Sequence, residues 1–178
     1  LATFDEIEKY QYGGNQAYAY FVRETRKSTW FTQVPVVLSR LGTAEFNQEF
    51  SVNISRAGDY LLHSWLRVRI PSVTLLPNNL YGVDGRLHWT RNLMHHLVEK
   101  VSITFNDLVA EQFESNFLDF WAAFTVPASK RVGYDNMIGN LDPLQLSRAP
   151  GVAIPRRYLN LPLPLFFTRD SGVALPTA

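Results

Sequence analysis

The chain has 178 residues, a length that fits one domain, at about 100 to 200 residues per domain, or a piece of a larger protein. Apolar residues make up 46% and charged residues 19%, which supplies a core and excludes intrinsic disorder; 17 Lys and Arg against 16 Asp and Glu leave a formal charge of +1, with no surplus field to hold a phosphate backbone or an anionic membrane. The absence of cysteine excludes a disulfide framework, a thiolate zinc site and a cysteine nucleophile.

No apolar run approaches the roughly 20 residues that span a bilayer, and the start lacks the basic and apolar regions of a secretory signal. The chain opens on Leu1 and closes on the apolar stretch Val173 to Ala178, so we expect a piece of a longer open reading frame, cut at both ends.

Thr3 with Glu6 three residues later forms a capping box, and Gly13-Gly14 supplies a stop, predicting a short helix over Phe4 to Tyr12. Beyond it the apolar period changes from helical to two residues. Ser28 to Leu38 is rich in Trp, Phe, Thr and Val, but Pro35 cannot donate to a ladder, so the expected strand lies at an edge. Phe50, Val52 and Ile54 alternate with Ser51, Asn53 and Ser55. Arg56-Ala57-Gly58-Asp59 then reads as a hairpin or tight corner before a long strand, Tyr60 to Ile70, that Pro71 ends. In it Trp65, Arg67 and Arg69 face solvent and Leu66, Val68 and Ile70 the core.

Leu97 to Phe113 reads as a hairpin turning at Asn106-Asp107, with Leu97, Val101, Ile103 and Phe105 on one face. Phe117, Leu118, Phe120, Trp121 and Phe124 follow at helical spacing behind a cap at Ser115, an apolar helix expected to be buried. Pro127 to Pro164 carries turn residues at short intervals and reads as loops. Leu161 to Ala178 holds an Arg169-Asp170-Ser171-Gly172 turn between two short strands. Many short strands, Gly and Pro punctuation and two brief helices predict an all-β, antiparallel sandwich or barrel.

The chemistry-bearing residues give little. His95 and His96 are adjacent and on a strand would point to opposite faces, and no pair among His63, His88, His95 and His96 has the spacing of a cupin-type metal site. Asp59, Asp84, Asp107, Asp119, Asp135, Asp142 and Asp170 mostly suit turns. Ser171 lacks a nucleophile elbow, and Gly13-Gly14 lacks the Lys of a phosphate loop. Asn53-Ile54-Ser55 is a sequon inside an expected strand and is expected unmodified. Arg23, Arg26 and Lys27 beside Tyr20, Phe21 and Trp30 mimic a nucleic-acid patch that Glu24 dilutes; Lys130-Arg131 and Arg156-Arg157 suit solvated loops or subunit contacts. No catalytic, cofactor-binding or metal-binding residue is assigned. The aromatic content, 13%, exceeds what a core requires and suits a protein-protein interface.

Several strings stand in a telling order: Tyr12-Gly13-Gly14, Trp30-Phe31-Thr32, Ile54-Ser55-Arg56-Ala57-Gly58-Asp59-Tyr60, Trp89-Thr90-Arg91-Asn92, Ile103-Thr104-Phe105-Asn106-Asp107, the run from Gly133 to Asn140, and the run from Leu161 to Pro176. Together they resemble the capsid proteins of iridoviruses and ascoviruses, within the nucleocytoplasmic large DNA viruses, over essentially the whole chain. The resemblance implies a double jelly roll, three chains in a pseudo-hexagonal capsomer, and capsomers tiling an icosahedral shell assembled in the host cytoplasm. It implies that residues 1–178 are the N-terminal jelly-roll domain, without the second jelly roll. Expected partners are two further copies in a homotrimer, neighbouring capsomers and minor capsid proteins, near an internal viral membrane, with no direct nucleic-acid binding and no cofactor. The loops Pro71 to Trp89 and Asp142 to Tyr158 are the candidate interface or outer segments. The alternatives are a carbohydrate-binding jelly roll using exposed Trp and Tyr rings, and a metal-bearing cupin-type enzyme.

Overall fold

The computed structural model of the protein describes residues 5–18, 25–76 and 85–177. The chain divides into two compact units, Leu1–Val37 and Leu38–Ala178.

In the first unit, helix α1 spans Glu6–Tyr12. Asp5 is its N-cap: the carboxylate accepts from the Glu8 backbone N–H at 2.6 Å, and Glu6 and Glu8 add negative charge to the positive end of the helix dipole. The expected capping residue Thr3 lies outside the described residues. The predicted stop is present, with the Gly13 N–H closing onto the Lys9 carbonyl at 2.9 Å. No residue of α1 is buried. The expected strand over Ser28 to Leu38 does not form: among the described residues nothing pairs with it, and a strand without a partner has no ladder to stabilise it. Trp30, Phe31 and Val37 stand exposed.

The second unit begins with a two-rung ladder, β1 (Arg40–Leu41) against β2 (Ser51–Val52). Asn53, Ile54 and Ser55 lie just beyond β2 in exposed coil, so the sequon is outside the strand expected to contain it. Residues 56–59 make a corner rather than a hairpin, since β3 (Tyr60–Leu61) pairs with the last strand, β8 (Leu175–Pro176). The expected Tyr60 to Ile70 strand is split because its halves have different partners. After 62–64, β4 (Trp65–Ile70) pairs along its full length with β7 (Arg157–Pro162), antiparallel. Trp65, Arg67 and Arg69 face out and Ile70 is buried, as the alternation predicts, and Pro71 ends the strand.

The expected hairpin is present as β5 (Lys100–Phe105) and β6 (Leu108–Glu114). Asn106 and Asp107 take φ of 47° and 65°, both left-handed as a tight hairpin turn requires. A register shift between Ile103 and Thr104 re-aims the strand ends, leaving Ile103 buried and Phe105 exposed, so the predicted apolar face ends one residue pair early.

Helices are more numerous than the two expected. α2 spans Leu93–Leu97, α3 Ser115–Thr125, α4 Ala128–Ile138 and α5 Asp142–Gln145. Segment 127–164, expected as loops, thus holds α4, α5 and β7. Its glycines misled because they sit within or at the end of a helix: Gly133 is inside α4, and Gly139 is its C-cap at φ 101°. Gly139 is also required by packing, since a Cβ there would lie 3.0 Å from Leu159 Cδ1 and 3.2 Å from Leu93 Cβ. α3 is buried on one side only: Leu118 and Ala122 point inward, while Phe120 and Phe124 stack on each other in solvent, 60% and 77% exposed. The expected turn at 169–172 follows a short 3-10 helix, Phe166–Thr168, and runs into a second, Ser171–Val173; the strands on either side, β7 and β8, pair elsewhere rather than with each other.

The core gathers Ile70, Leu159 and Leu161 from the β4–β7 ladder, Leu93 and Met94 from α2, Leu118 from α3, and Ile138, Leu144 and Phe167. The chain exposes 14949 Å². A folded monomer of this mass exposes about 8,800 Å² by the usual scaling.

Candidate functional site

The densest set of polar groups lies where α2, α3 and α4 meet. His95 is on helix α2 rather than on the expected strand, and it is 1% exposed while His96 faces solvent. Its Nδ1 lies 2.5 Å from Asp119 Oδ1 on α3, and its Nε2 lies 2.8 Å from the Tyr134 hydroxyl on α4. The Asp119 carboxylate can only accept, so Nδ1 carries the hydrogen between them, and Nε2 pairs with the Tyr134 hydroxyl. Burial, reinforced by the Asp119 and Asp135 carboxylates and opposed by the Arg131 guanidinium, pushes the Tyr134 phenol up to about 12, so it stays a donor.

The network continues outward from Asp119. The Asn92 side-chain amide donates to Asp119 at 3.0 Å, and the Asn140 amide to the Asn92 side-chain oxygen at 2.6 Å. Gln145 on α5 donates to Asn140 at 2.8 Å. Asn92 sits at φ 48°, and its backbone N–H donates to Asn140 Oδ1 at 2.7 Å, locking the entry to α2. Four helices are thereby joined through one chain of hydrogen bonds. Asp119 and Asp135 belong to helices, not to the turns expected for them, whereas Asp107 is in its hairpin turn and Asp170 caps the Gly172 N–H as expected of turn residues.

This arrangement orients its groups toward one another across three helices. The adjoining cavity, about 120 Å³ and lined by Asn92, His95, Asp119, Arg131 and Tyr134 among others, is far below the roughly 300 Å³ of small-molecule sites. A second cavity of about 80 Å³ between Val73, Leu87, Trp89 and Ile154 is apolar. Among the described residues no three His, Asp or Glu side chains converge as metal ligands.

The candidate interface loops turn out to be laced together. Val73 pairs with Ile154 and Leu87 with Arg148, both antiparallel, and the Gly151 N–H donates to the Leu75 carbonyl at 2.8 Å. The Val73–Ile154 rung continues the register of the β4–β7 ladder past Pro71, and Ile154 and Leu144 are buried inside a segment expected to lie at an interface or the outer surface. Residues 77–84 lie outside the described residues. Of the basic clusters, Arg131 is structural: it donates to the Val126 and Ala123 carbonyls at the end of α3. Arg156 and Arg157 are exposed, and Arg23 lies outside the described residues.

The exposed apolar side chains are the larger feature. Trp30, Phe31, Val34, Phe46, Trp65, Phe120, Phe124 and Tyr158 are all more than half exposed, far more than scattered surface apolars account for. The described residues thus form antiparallel strand pairs with helices packed on one ladder, two small cavities and extensive uncovered apolar surface. The chain belongs to the major capsid protein N-terminus family, whose model matches residues 19–178.

The similarity extends to whole relatives. The chain is 65% identical to the major capsid protein of Invertebrate iridescent virus 6 and 66% identical to that of Wiseana iridescent virus, in each case over 100% of this chain and 39% and 37% of the relative. Against the major capsid protein of Lymphocystis disease virus 1 the identity is 56% over 100% of this chain and 39% of the relative. The chain therefore spans less than two fifths of the length of these relatives. Among solved structures, it matches PBCV-1 VP54 as fitted into a reconstruction of the virophage Sputnik, with TM-score 0.66, 19% identity, and coverage of 89% of this chain and 34% of that one. It also matches the quasi-atomic model of the PBCV-1 virus capsid, with TM-score 0.63 and 20% identity over the same shares. At such identity the likeness is one of fold.

Proposed function

We propose that this chain is the N-terminal part of a structural subunit of an icosahedral viral capsid, located in the virion and assembled in the host cytoplasm. It contributes the first jelly roll of a double jelly-roll protein, three copies of which form a pseudo-hexagonal capsomer that meets neighbouring capsomers and minor capsid proteins. It has no catalytic role. The observation that carries this reading is the identity of about 65% to iridovirus major capsid proteins along the whole chain. The exposed surface supports it physically, because an excess of about 6,000 Å² over a folded monomer of this mass is what the rest of the subunit and its neighbours would cover. The separate two-residue ladders β1–β2 and β3–β8 support it too, since such short pairs are marginal until further strands join them. The test is the native mass and negative-stain image of the complete parent protein. Trimers with a hexagonal outline are expected, and a monomer with no tendency to assemble overturns the proposal.

A further inference from the structure

Among the described residues of the 38–178 unit, two exposed surfaces complement each other. The first is the outward face of the β4–β7 ladder, where Trp65, Arg67 and Arg69 stand opposite Pro162, Asn160 and Tyr158. The Arg67 guanidinium lies over the Tyr158 ring, 4.7 Å from its centroid. The two strands carry three arginines and no carboxylate, and Trp, Tyr and Arg are the residue types that dominate protein-protein binding energy. Trp65 and Tyr158 are each more than half exposed.

The second surface is the tip between β1 and β2. Glu45, Phe46 and Glu49 are exposed there, and Asn47 reverses the chain at φ 58°. No Lys or Arg lies between Arg40 and Arg56, so the tip is purely acidic. Phe46 is 80% exposed, and the ladder beneath has two rungs, too few to hold a hairpin in water unaided.

We propose that the Glu45–Glu49 tip of one copy docks on the Trp65–Arg67–Arg69–Tyr158 face of the next, in the assembly described under the preceding heading, on which this inference rests. Glu45 and Glu49 lie against Arg67 and Arg69, whose side chains leave the strand about 7 Å apart, and Phe46 packs on Trp65 and Tyr158. Charge complementarity selects the occupant: a purely acidic apolar tip and a purely basic aromatic face occur on the same chain. Tip and face are different patches, so the contact is heterologous and closes into a ring when the rotation permits.

The test uses the complete parent protein at low and high salt, with association followed by sedimentation. The double variant Arg67→Glu/Arg69→Glu and the double variant Glu45→Arg/Glu49→Arg are each expected to weaken association at least tenfold at low salt, and the four-fold combination to restore it to within about threefold. Losses that simply multiply in the combination, or reversals that change nothing, overturn the contact. A second measurement does not depend on assembly strength: chains bearing Glu49→Cys and chains bearing Arg67→Cys are mixed and oxidised. Covalent pairs that form only in the mixture support the contact. Their absence, or a link formed within one chain when both substitutions share it, overturns it. A wild-type protein that never associates refutes the capsid reading itself, whereas a wild type that assembles while the reversals are inert refutes this contact alone.

Discussion

Replacing His95 by Ala probes whether the helical insert is held by its buried polar chain. The imidazole is 1% exposed and is the link between Asp119 and Tyr134. Its loss strands the Tyr134 hydroxyl, at about 1–3 kcal/mol for an unpartnered buried donor. Asp119, whose side chain is 42% exposed, recovers water and adds little. The cavity left by the ring adds a further 1–2 kcal/mol or so, giving about 3 kcal/mol in total. Tyr134→Phe, which leaves the His95 Nε2 without a partner, should cost about 1–2 kcal/mol. Urea unfolding of the parent protein, followed by Trp121 fluorescence, measures both. That ring stacks on Phe117 and carries the Arg169 guanidinium 5.3 Å from its centroid, so it reports on α3 directly. The double variant should cost about 1 kcal/mol less than the sum of the singles. Strict additivity, or a His95→Ala cost under about 1 kcal/mol, would refute a network that holds the helices together.

Three further outcomes follow from the packing and the titration. Gly139→Ala should destabilise by about 2 kcal/mol or more in the same unfolding assay, because the position needs positive φ and its Cβ would press on Leu159 and Leu93. Leu161→Ala, at a fully buried rung of the β4–β7 ladder, should cost about 2–5 kcal/mol by thermal or urea unfolding. The Tyr134 phenol is raised in the fold from its ordinary value of 10.0 to about 12, so folding favours its neutral form. That contribution is fully present below pH 10 and is lost as the pH climbs to 12, so melting temperatures of wild type should fall more steeply across that window than those of Tyr134→Phe.

Local signals were legible wherever one short segment decides the outcome. The Asn106-Asp107 turn, the alternation along β4 and the stop at Gly13-Gly14 all follow from backbone chemistry within a few residues. What escaped depends on partners distant in sequence. Nothing in Tyr60 to Ile70 announces that its first two residues pair with 175–176 and its last six with 157–162. α4 escaped because its glycines read as turns, although Gly139 is a left-handed helix end and could have been weighed as a C-cap. The sequence suggests a strand at His95, whose two partners lie 24 and 39 residues away. The signal that could have found it is Asp119 amid an apolar helix, one turn from Ser115, where a turn aspartate has no business. Family membership was carried instead by strings of turn and strand residues spread along the chain.

The Val73–Ile154 rung makes the length of chain between Pro71 and Val73 a fixed quantity. A single-residue deletion there would throw Val73 out of step with Ile154 and turn its side chain from the cavity it lines to solvent. Just past the end of β4 the protein thus holds a position that tolerates no change of length.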